Sequence, residues 1–150
     1  MEFSIPRLAR CGAATLLTLS ILSASALAQD AGETDGALSL ELNTLQETDT
    51  GCLFTFVAEN GLEASLEKAA YEVVLFNGEG LVERMTVLDF QDLPAERTRV
   101  RQFNLSDTSC GDVSRVLIND VSTCSGDGVE PATCMDRLSV SSQSDVEFAN

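Results

Sequence analysis

The clearest pattern of apolar and polar positions lies between residues 70 and 89, where two apolar-rich runs flank the sequence Asn77-Gly78-Glu79-Gly80. Asn and Gly tolerate the positive φ that a tight turn between antiparallel strands requires. The pattern therefore predicts a β-hairpin. Its first strand has Tyr71, Val73 and Leu75 on the core face, and the apolar positions of its second strand are Leu81, Met85 and Val87.

Two further strands are predicted before the hairpin, because apolar residues recur there at every second position. In the first strand, Leu38, Leu40 and Leu42 alternate with Ser39, Glu41 and Asn43. The second strand follows a turn cluster at residues 47–51, and one of its faces carries Cys52, Phe54, Phe56 and Ala58.

Residues 60–69 connect the second strand to the hairpin. Leu62 and Leu66 stand four residues apart in this segment, a spacing that allows one helical turn. Ten residues suit a crossover between two sheets better than a partner-binding amphipathic helix, because isolated helices of this length are marginal in water. We therefore expect a crossover.

The chain after the hairpin carries three more predicted strands. A loop that contains Pro94 occupies residues 89–97, and strands are expected at 98–105, at 113–121 and, weakly, at 138–148. No helix is long enough to cover a sheet. The sequence predicts an all-β domain over residues 37–150, an Ig-like antiparallel two-sheet sandwich of about seven strands. A small closed barrel is the alternative, because strand count and alternation do not separate the two.

The first 28 residues have the pattern of a Sec-type signal peptide. Arginines precede an apolar core at residues 13–22, which is too short for a transmembrane helix, and Ala26-Leu27-Ala28 matches a signal-peptidase site. Cleavage is therefore expected after Ala28. Residues 29–36 are polar and acidic, so we expect them to form a disordered tail. The protein is expected to be periplasmic or secreted.

The chain is strongly acidic, with 9 basic and 24 acidic residues, a formal net charge of −15, and no His or Trp. Loss of residues 1–28 removes one acid and two arginines, which makes the charge of the remaining chain −16. So acidic a protein repels nucleic acid and anionic lipid. We expect it to bind no nucleic acid and, because no second apolar span follows, not to insert into a membrane after cleavage.

Four cysteines remain after cleavage, and an even number in an exported domain predicts two disulfides with three possible pairings. The segment between Cys124 and Cys134 contains Gly and Pro and brings its ends together, so this pair is the most economical. Cys52 would then pair with Cys110. The wide spacing and the lack of His disfavour a zinc site, and the lack of a Cys-x-x-Cys motif disfavours redox catalysis.

Three arginines, Arg97, Arg99 and Arg101, alternate along one predicted strand and therefore share a face. One interpretation is a stripe that grips an anionic ligand or docks an acidic partner. The other is a solvated outer sheet face on which the arginines pair with cross-strand acids. We favour the second interpretation, and the candidate acids are Glu72, Glu83 and Asp89.

Acidic residues crowd the loops around the last three cysteines, and Asp127 with Glu130 is the best local candidate for binding calcium. Their spacing matches no EF-hand loop, so an acidic surface without an ion is the expected state. A Ser-His-Asp triad is impossible without His, and no Ser stands in a recognisable motif with Lys68. The sequence therefore predicts no catalytic residue, no enzyme and no cofactor.

Several motifs resemble known bacterial groups. The hairpin sequence at residues 73–80 and the later Leu93-Pro94-Ala95-Glu96 are similar to those of FxLYD-type extracytoplasmic Ig-like modules, although Ala95 stands where that group usually has Gly. With LSLELN at residues 38–43 and CLFTFVAEN at residues 52–60, the chain is also similar to small exported alphaproteobacterial proteins labelled Tat pathway signal sequence domain proteins. It lacks the twin arginine that this label implies. The resemblance implies an Ig-like fold and is silent on activity.

These patterns predict an exported, non-enzymatic Ig-like module that acts through protein contacts of a sheet face or of its loops, with an unidentified protein partner. The alternative is a small periplasmic protein that binds calcium through the acidic loops or an anionic ligand through the arginines. A calcium-binding protein would melt at a higher temperature when calcium is added.

The signal-peptide pattern gives the first testable prediction, which is that the exported protein begins at Gln29. Intact-mass measurement of protein recovered from the periplasm or the medium checks it. A product that retains residues 1–28 in the membrane fraction would contradict export with cleavage.

Overall fold

The computed structural model describes residues 36–150, so the predicted signal peptide and the predicted tail up to residue 35 lie outside the described residues. The regular structure of the described chain consists mainly of strands. They are β1 (Leu38–Glu47), β2 (Gly51–Asn60), β3 (Lys68–Asn77), β4 (Val82–Asp89), β5 (Arg97–Ser106), β6 (Val113–Ser125), β7 (Leu138–Ser142) and β8 (Glu147–Ala149). A 3₁₀ turn at Cys110–Asp112 and the short helix α1 (Thr133–Asp136) complete the regular structure, and none of the described helices is long and apolar enough to cross a membrane.

The strands form two four-stranded sheets. Sheet I has the order β5-β2-β1-β7, and sheet II has the order β4-β3-β6-β8. The predicted all-β sandwich is therefore confirmed, and the alternative of one closed barrel is wrong. The predicted hairpin is also confirmed, because β3 and β4 pair antiparallel on either side of a turn in which Gly80 has a φ of +79°.

The C-terminal part of the chain departs from the prediction of a single weak strand. It forms two strands that belong to different sheets: β7 runs parallel to β1, and β8 runs parallel to β6. The Ser142 hydroxyl donates a 2.7 Å hydrogen bond to the Val146 carbonyl and so shapes the turn between them. The sandwich therefore has eight strands that include two parallel pairs, rather than about seven antiparallel strands.

The core lies between the sheets and follows the predicted alternation. The predicted inward residues of β1, β2 and β3 are all buried: Leu38, Leu40, Leu42, Cys52, Phe54, Phe56, Ala58, Tyr71, Val73 and Leu75. Phe56 of sheet I lies 5.4 Å from Phe90 and 5.5 Å from Phe148, measured between ring centroids. The aromatic rings therefore join the two sheets, and such pairs contribute about 0.5–1.5 kcal/mol each beyond the area they bury.

The segments predicted as connections supply part of this core. Residues 60–69 form no helical turn and cross from sheet I to sheet II, as expected, and both Leu62 and Leu66 are buried. In the predicted loop after β4, Phe90 and Leu93 are fully buried. The side-chain amide of Asn60, itself buried, donates to the Leu93 carbonyl at 2.8 Å and so links the crossover to this loop.

The structure contains two disulfides in the pairing that the sequence favoured. Cys52 of β2 pairs with Cys110, 58 residues later, and Cys124 pairs with Cys134, 10 residues later. The Tyr71 hydroxyl donates a 3.0 Å hydrogen bond to the Cys134 carbonyl. Burial raises the pKa of Tyr71 well above its usual range, so the phenol keeps the proton that this bond requires.

Removal of the two disulfides should weaken the domain to different extents. Cys124→Ser with Cys134→Ser should lower the free energy of unfolding by about 3 kcal/mol, and Cys52→Ser with Cys110→Ser by about 4 kcal/mol, because the second pair closes the longer loop of the unfolded chain. Guanidinium unfolding followed by circular dichroism measures both losses. Peptide mapping of the unreduced protein is the direct check, and a fragment that joins Cys110 to Cys124 or Cys134 would contradict the pairing.

Candidate functional site

Four large apolar side chains lie exposed at the start of β4 and along it. Leu81, Val82, Met85 and Val87 are 59%, 59%, 56% and 52% exposed, and we call them the hairpin patch. The apolar positions of this strand therefore do not join the core. The reason is geometric, because alternation along β4 turns Leu88 inward and leaves Met85 and Val87 on the outer face of sheet II.

The neighbouring strands extend this apolar surface across the sheet. Met85 pairs with Val74 of β3, and Val74 in turn pairs with Leu117 of β6. Val74 faces outward but is only 3% exposed, because its neighbours on the sheet cover it. The hairpin patch is therefore the exposed margin of a continuous apolar strip that crosses three strands.

The turn next to the hairpin patch is fixed by one side chain. The Asn77 side-chain oxygen accepts hydrogen bonds from the backbone N–H groups of Glu79 at 3.0 Å and Leu81 at 2.9 Å. The Asn77 amide donates to the Glu83 carboxylate at 2.7 Å. The patch is thus presented by an ordered turn, as expected for Asn at this position.

Charged side chains surround the apolar strip on the outer face of sheet II. The acids on this face or at its margin are Glu72, Glu83, Asp89, Asp120 and Glu147. Arg115 stacks over the Phe76 ring with its guanidinium carbon 4.0 Å from the centroid, and Lys68 lies 3.2 Å from the Asp89 carboxylate. A hydrogen bond from the Gln91 N–H, with Lys68 as a smaller cause, lowers the pKa of Asp89. Acids therefore outnumber bases around the patch.

The arginine stripe does not lie on a solvated outer face, so the favoured interpretation of its surroundings is wrong. Arg97, Arg99 and Arg101 pair with Asn60, Ala58 and Phe56, whose side chains are buried, and they therefore point toward the inner side of edge strand β5. The sequence held a signal for this placement, because Phe103 and Leu105 have the same parity along the strand as the three arginines. The expected acids are not their salt-bridge partners, since both Arg99 and Arg101 pair with Asp92.

Arg101 acts as a structural link within this edge. Its side chain is 17% exposed, and its guanidinium donates to the carbonyls of Phe90 at 2.6 Å and Asp92 at 2.9 Å. Arg99 is more exposed and only approaches the Asp92 carboxylate, at 3.9 Å. The stripe is therefore divided between one arginine that holds the loop after β4 and others that remain near solvent.

The calcium candidate lies elsewhere, on the loop that the Cys124–Cys134 disulfide closes. Asp127 and Glu130 are both exposed there. Among residues 36–150, no three or more His, Cys, Asp or Glu side chains are grouped as a metal site would require. The described residues thus bring together an apolar strip with an acidic margin, which the sequence analysis did not predict. They do not bring together a set of metal ligands.

Comparison of the chain with models of protein families, with curated proteins and with solved structures finds no match in any of the three.

The division of the arginine stripe gives a matched pair of variants. Arg101→Ala should lower the free energy of unfolding by about 1.5–3 kcal/mol, because it leaves the carbonyls of Phe90 and Asp92 without their charged donor. Arg99→Ala should change it by no more than about 0.5 kcal/mol, as is usual for an exposed ion pair. Denaturant unfolding measures both, and equal effects of the two variants would contradict the distinction.

Proposed function

We propose that this protein is an exported, non-enzymatic module that binds another protein through the outer face of sheet II. The observation that carries the proposal is the hairpin patch, in which four large apolar side chains within seven residues are each more than half exposed in a chain of net charge −15. Large apolar side chains grouped in this way and bordered by charged residues are typical of protein–protein contacts.

Two further features support the proposal. Two disulfides stabilise a small domain and are typical of proteins that work in an oxidising compartment such as the periplasm or the medium. The resemblance to FxLYD-type modules is part of the same proposal. It is supported by the hairpin at residues 73–80 and by the turn at Leu93-Pro94-Ala95-Glu96, which leads into β5 with the left-handed φ at Glu96.

The test places a photo-crosslinking amino acid at position 85 of the full chain, expressed in its own host. Irradiation of living cells should give a discrete crosslinked band that mass spectrometry identifies as one partner protein. The matched control carries the same amino acid at position 100, since Val100 is equally exposed, at 58%, but belongs to sheet I. Crosslinking at position 100 and not at 85, or at neither, would contradict the proposed face.

A further inference from the structure

We infer that the partner contributes an extended, cationic segment that pairs as an additional strand with the open edge of β4, an inference that rests on the proposed function. Addition of a strand to a sheet edge is a general mode of peptide recognition, in which backbone hydrogen bonds supply affinity and alternate side chains supply specificity. Three features of β4 indicate this mode: its backbone, its side chains and the charge around it.

The backbone of β4 offers unpaired groups along its outer side. The Phe90 N–H, just after β4, donates to the Ala69 carbonyl at 2.8 Å. In an antiparallel pair, the residues whose backbone bonds to the neighbouring strand alternate along the chain. The residues of β4 that bond to β3 are therefore Leu88 and every second residue before it. The backbone groups of Met85 and Val87 therefore point away from β3, toward the open edge. No other described residue forms a hydrogen bond with them.

The remaining sheet edges are less suited to accept a strand. On β5, the Arg84 guanidinium donates to the Ser106 carbonyl at 2.7 Å, and the inward arginines place charge along the edge. β7 is five residues long and β8 is three. β4 has eight residues, contains no Pro or Lys, and shows its one irregularity at its start, opposite residues 75 and 76. The charged residues of β4 lie at its two ends, and its inward-facing Arg84 is engaged with the Ser106 carbonyl, so the segment from Met85 to Leu88 has no charge, Pro or irregularity that would protect the edge.

The side chains of β4 and the surrounding charge define the segment that would fit. A strand added at this edge would place every second side chain on the outer face beside Met85 and Val87, where apolar groups extend the existing strip. Lys or Arg at the outward positions on either side of these apolar groups would lie near Glu83 and Asp89, at the two ends of β4, and near Glu72 of β3. A second copy of this chain would itself be strongly acidic, with a net charge of −15, and would be repelled from this acidic edge, so the charge favours a cationic partner over self-association.

Synthetic peptides of about eight residues, the length of β4, test the inference with the disulfide-bonded protein. At its alternate, outward positions the first peptide has Lys, Val, Val and Lys, and the second has Glu, Val, Val and Glu; both have Thr at the positions between. Fluorescence anisotropy should show binding of the first peptide, weakened by added salt, and at least about tenfold weaker binding of the second. Equal binding of the two would overturn the charge argument.

Methylation of the peptide backbone separates strand pairing from general apolar adhesion. N-methyl groups at alternate residues block one edge of a strand and leave the other edge free. Because a strand peptide can present either edge, the informative version is N-methylated on both, and it should lose at least about tenfold in affinity while its side chains are unchanged. Unchanged affinity would overturn the inference.

Variants of the protein locate the binding site. Met85→Thr with Val87→Thr keeps strand propensity, removes the apolar contacts, and should weaken binding of the lysine-containing peptide several-fold. Val100→Thr is the matched control on sheet I and should leave binding unchanged.

Crosslinking at position 85 without binding of any strand peptide would overturn this inference and leave the proposed function standing. A failure of both experiments would overturn both the inference and the proposed function. A dimer in sedimentation that the double variant abolishes would assign the edge to a second copy instead.

Discussion

Burial of the Phe90 ring is the contact on which the arrangement of the two sheets most depends. The ring lies 5.4 Å from Phe56, 5.8 Å from Tyr71 and 5.1 Å from Phe103, so it contacts strands of both sheets. Its backbone is held as well, because the N–H bonds to β3 and the carbonyl accepts from Arg101 of β5. Loss of a buried Phe side chain typically costs about 3–5 kcal/mol, a large part of the stability of a domain this small. This ring holds the loop that connects β4, an edge strand of sheet II, to β5, an edge strand of sheet I. It therefore fixes the side of the sandwich on which both of these edges lie.

The sequence predicts those parts of the fold whose determinants are local. Strict alternation from Leu38 to Leu42 and from Cys52 to Ala58 indicated both the strands and their inner faces, because a half-buried strand needs little more than its own pattern. Phe90 could not be assigned to the core in this way. It stands between a strand and a Pro-containing loop, and it is buried only because chain segments far from it in sequence surround it.

The candidate site is less predictable than the core for a related reason. Alternation shows which side chains share a face but not which face turns inward or which strand lies at an edge. Met85 and Val87 look like core residues in sequence, but they lie on the outer face of sheet II, and no further strand beyond β4 covers them. The arginines of β5 look like surface residues in sequence, yet they point toward the inner side of the sheet, as the same parity of Phe103 indicates. In both cases, the pairing of strands that are far apart in sequence decides which side chains are exposed.

The outer face of sheet II is held by hydrogen bonds and packing as well as being apolar, which matters for any segment that binds to it. Val74 and its neighbours are packed on a hydrogen-bonded sheet, and Asn77 holds the turn. Little of this surface would have to become ordered on binding, so most of the interaction free energy would remain available as affinity.

The placement of β7 and β8 has a consequence for the order in which the chain folds. The first strand of the sandwich, β1, receives one of its two neighbours from β7, a hundred residues later, with Leu38 opposite Leu138. Pairing over so large a sequence separation slows folding, and sandwiches of this kind typically fold in milliseconds to seconds. A chain that emerges from its N-terminus presents Cys52 and Cys110 for oxidation before Cys134 is available. The long-range disulfide can therefore form first and hold β2 near the turn that precedes β6, while the last two strands are still to arrive.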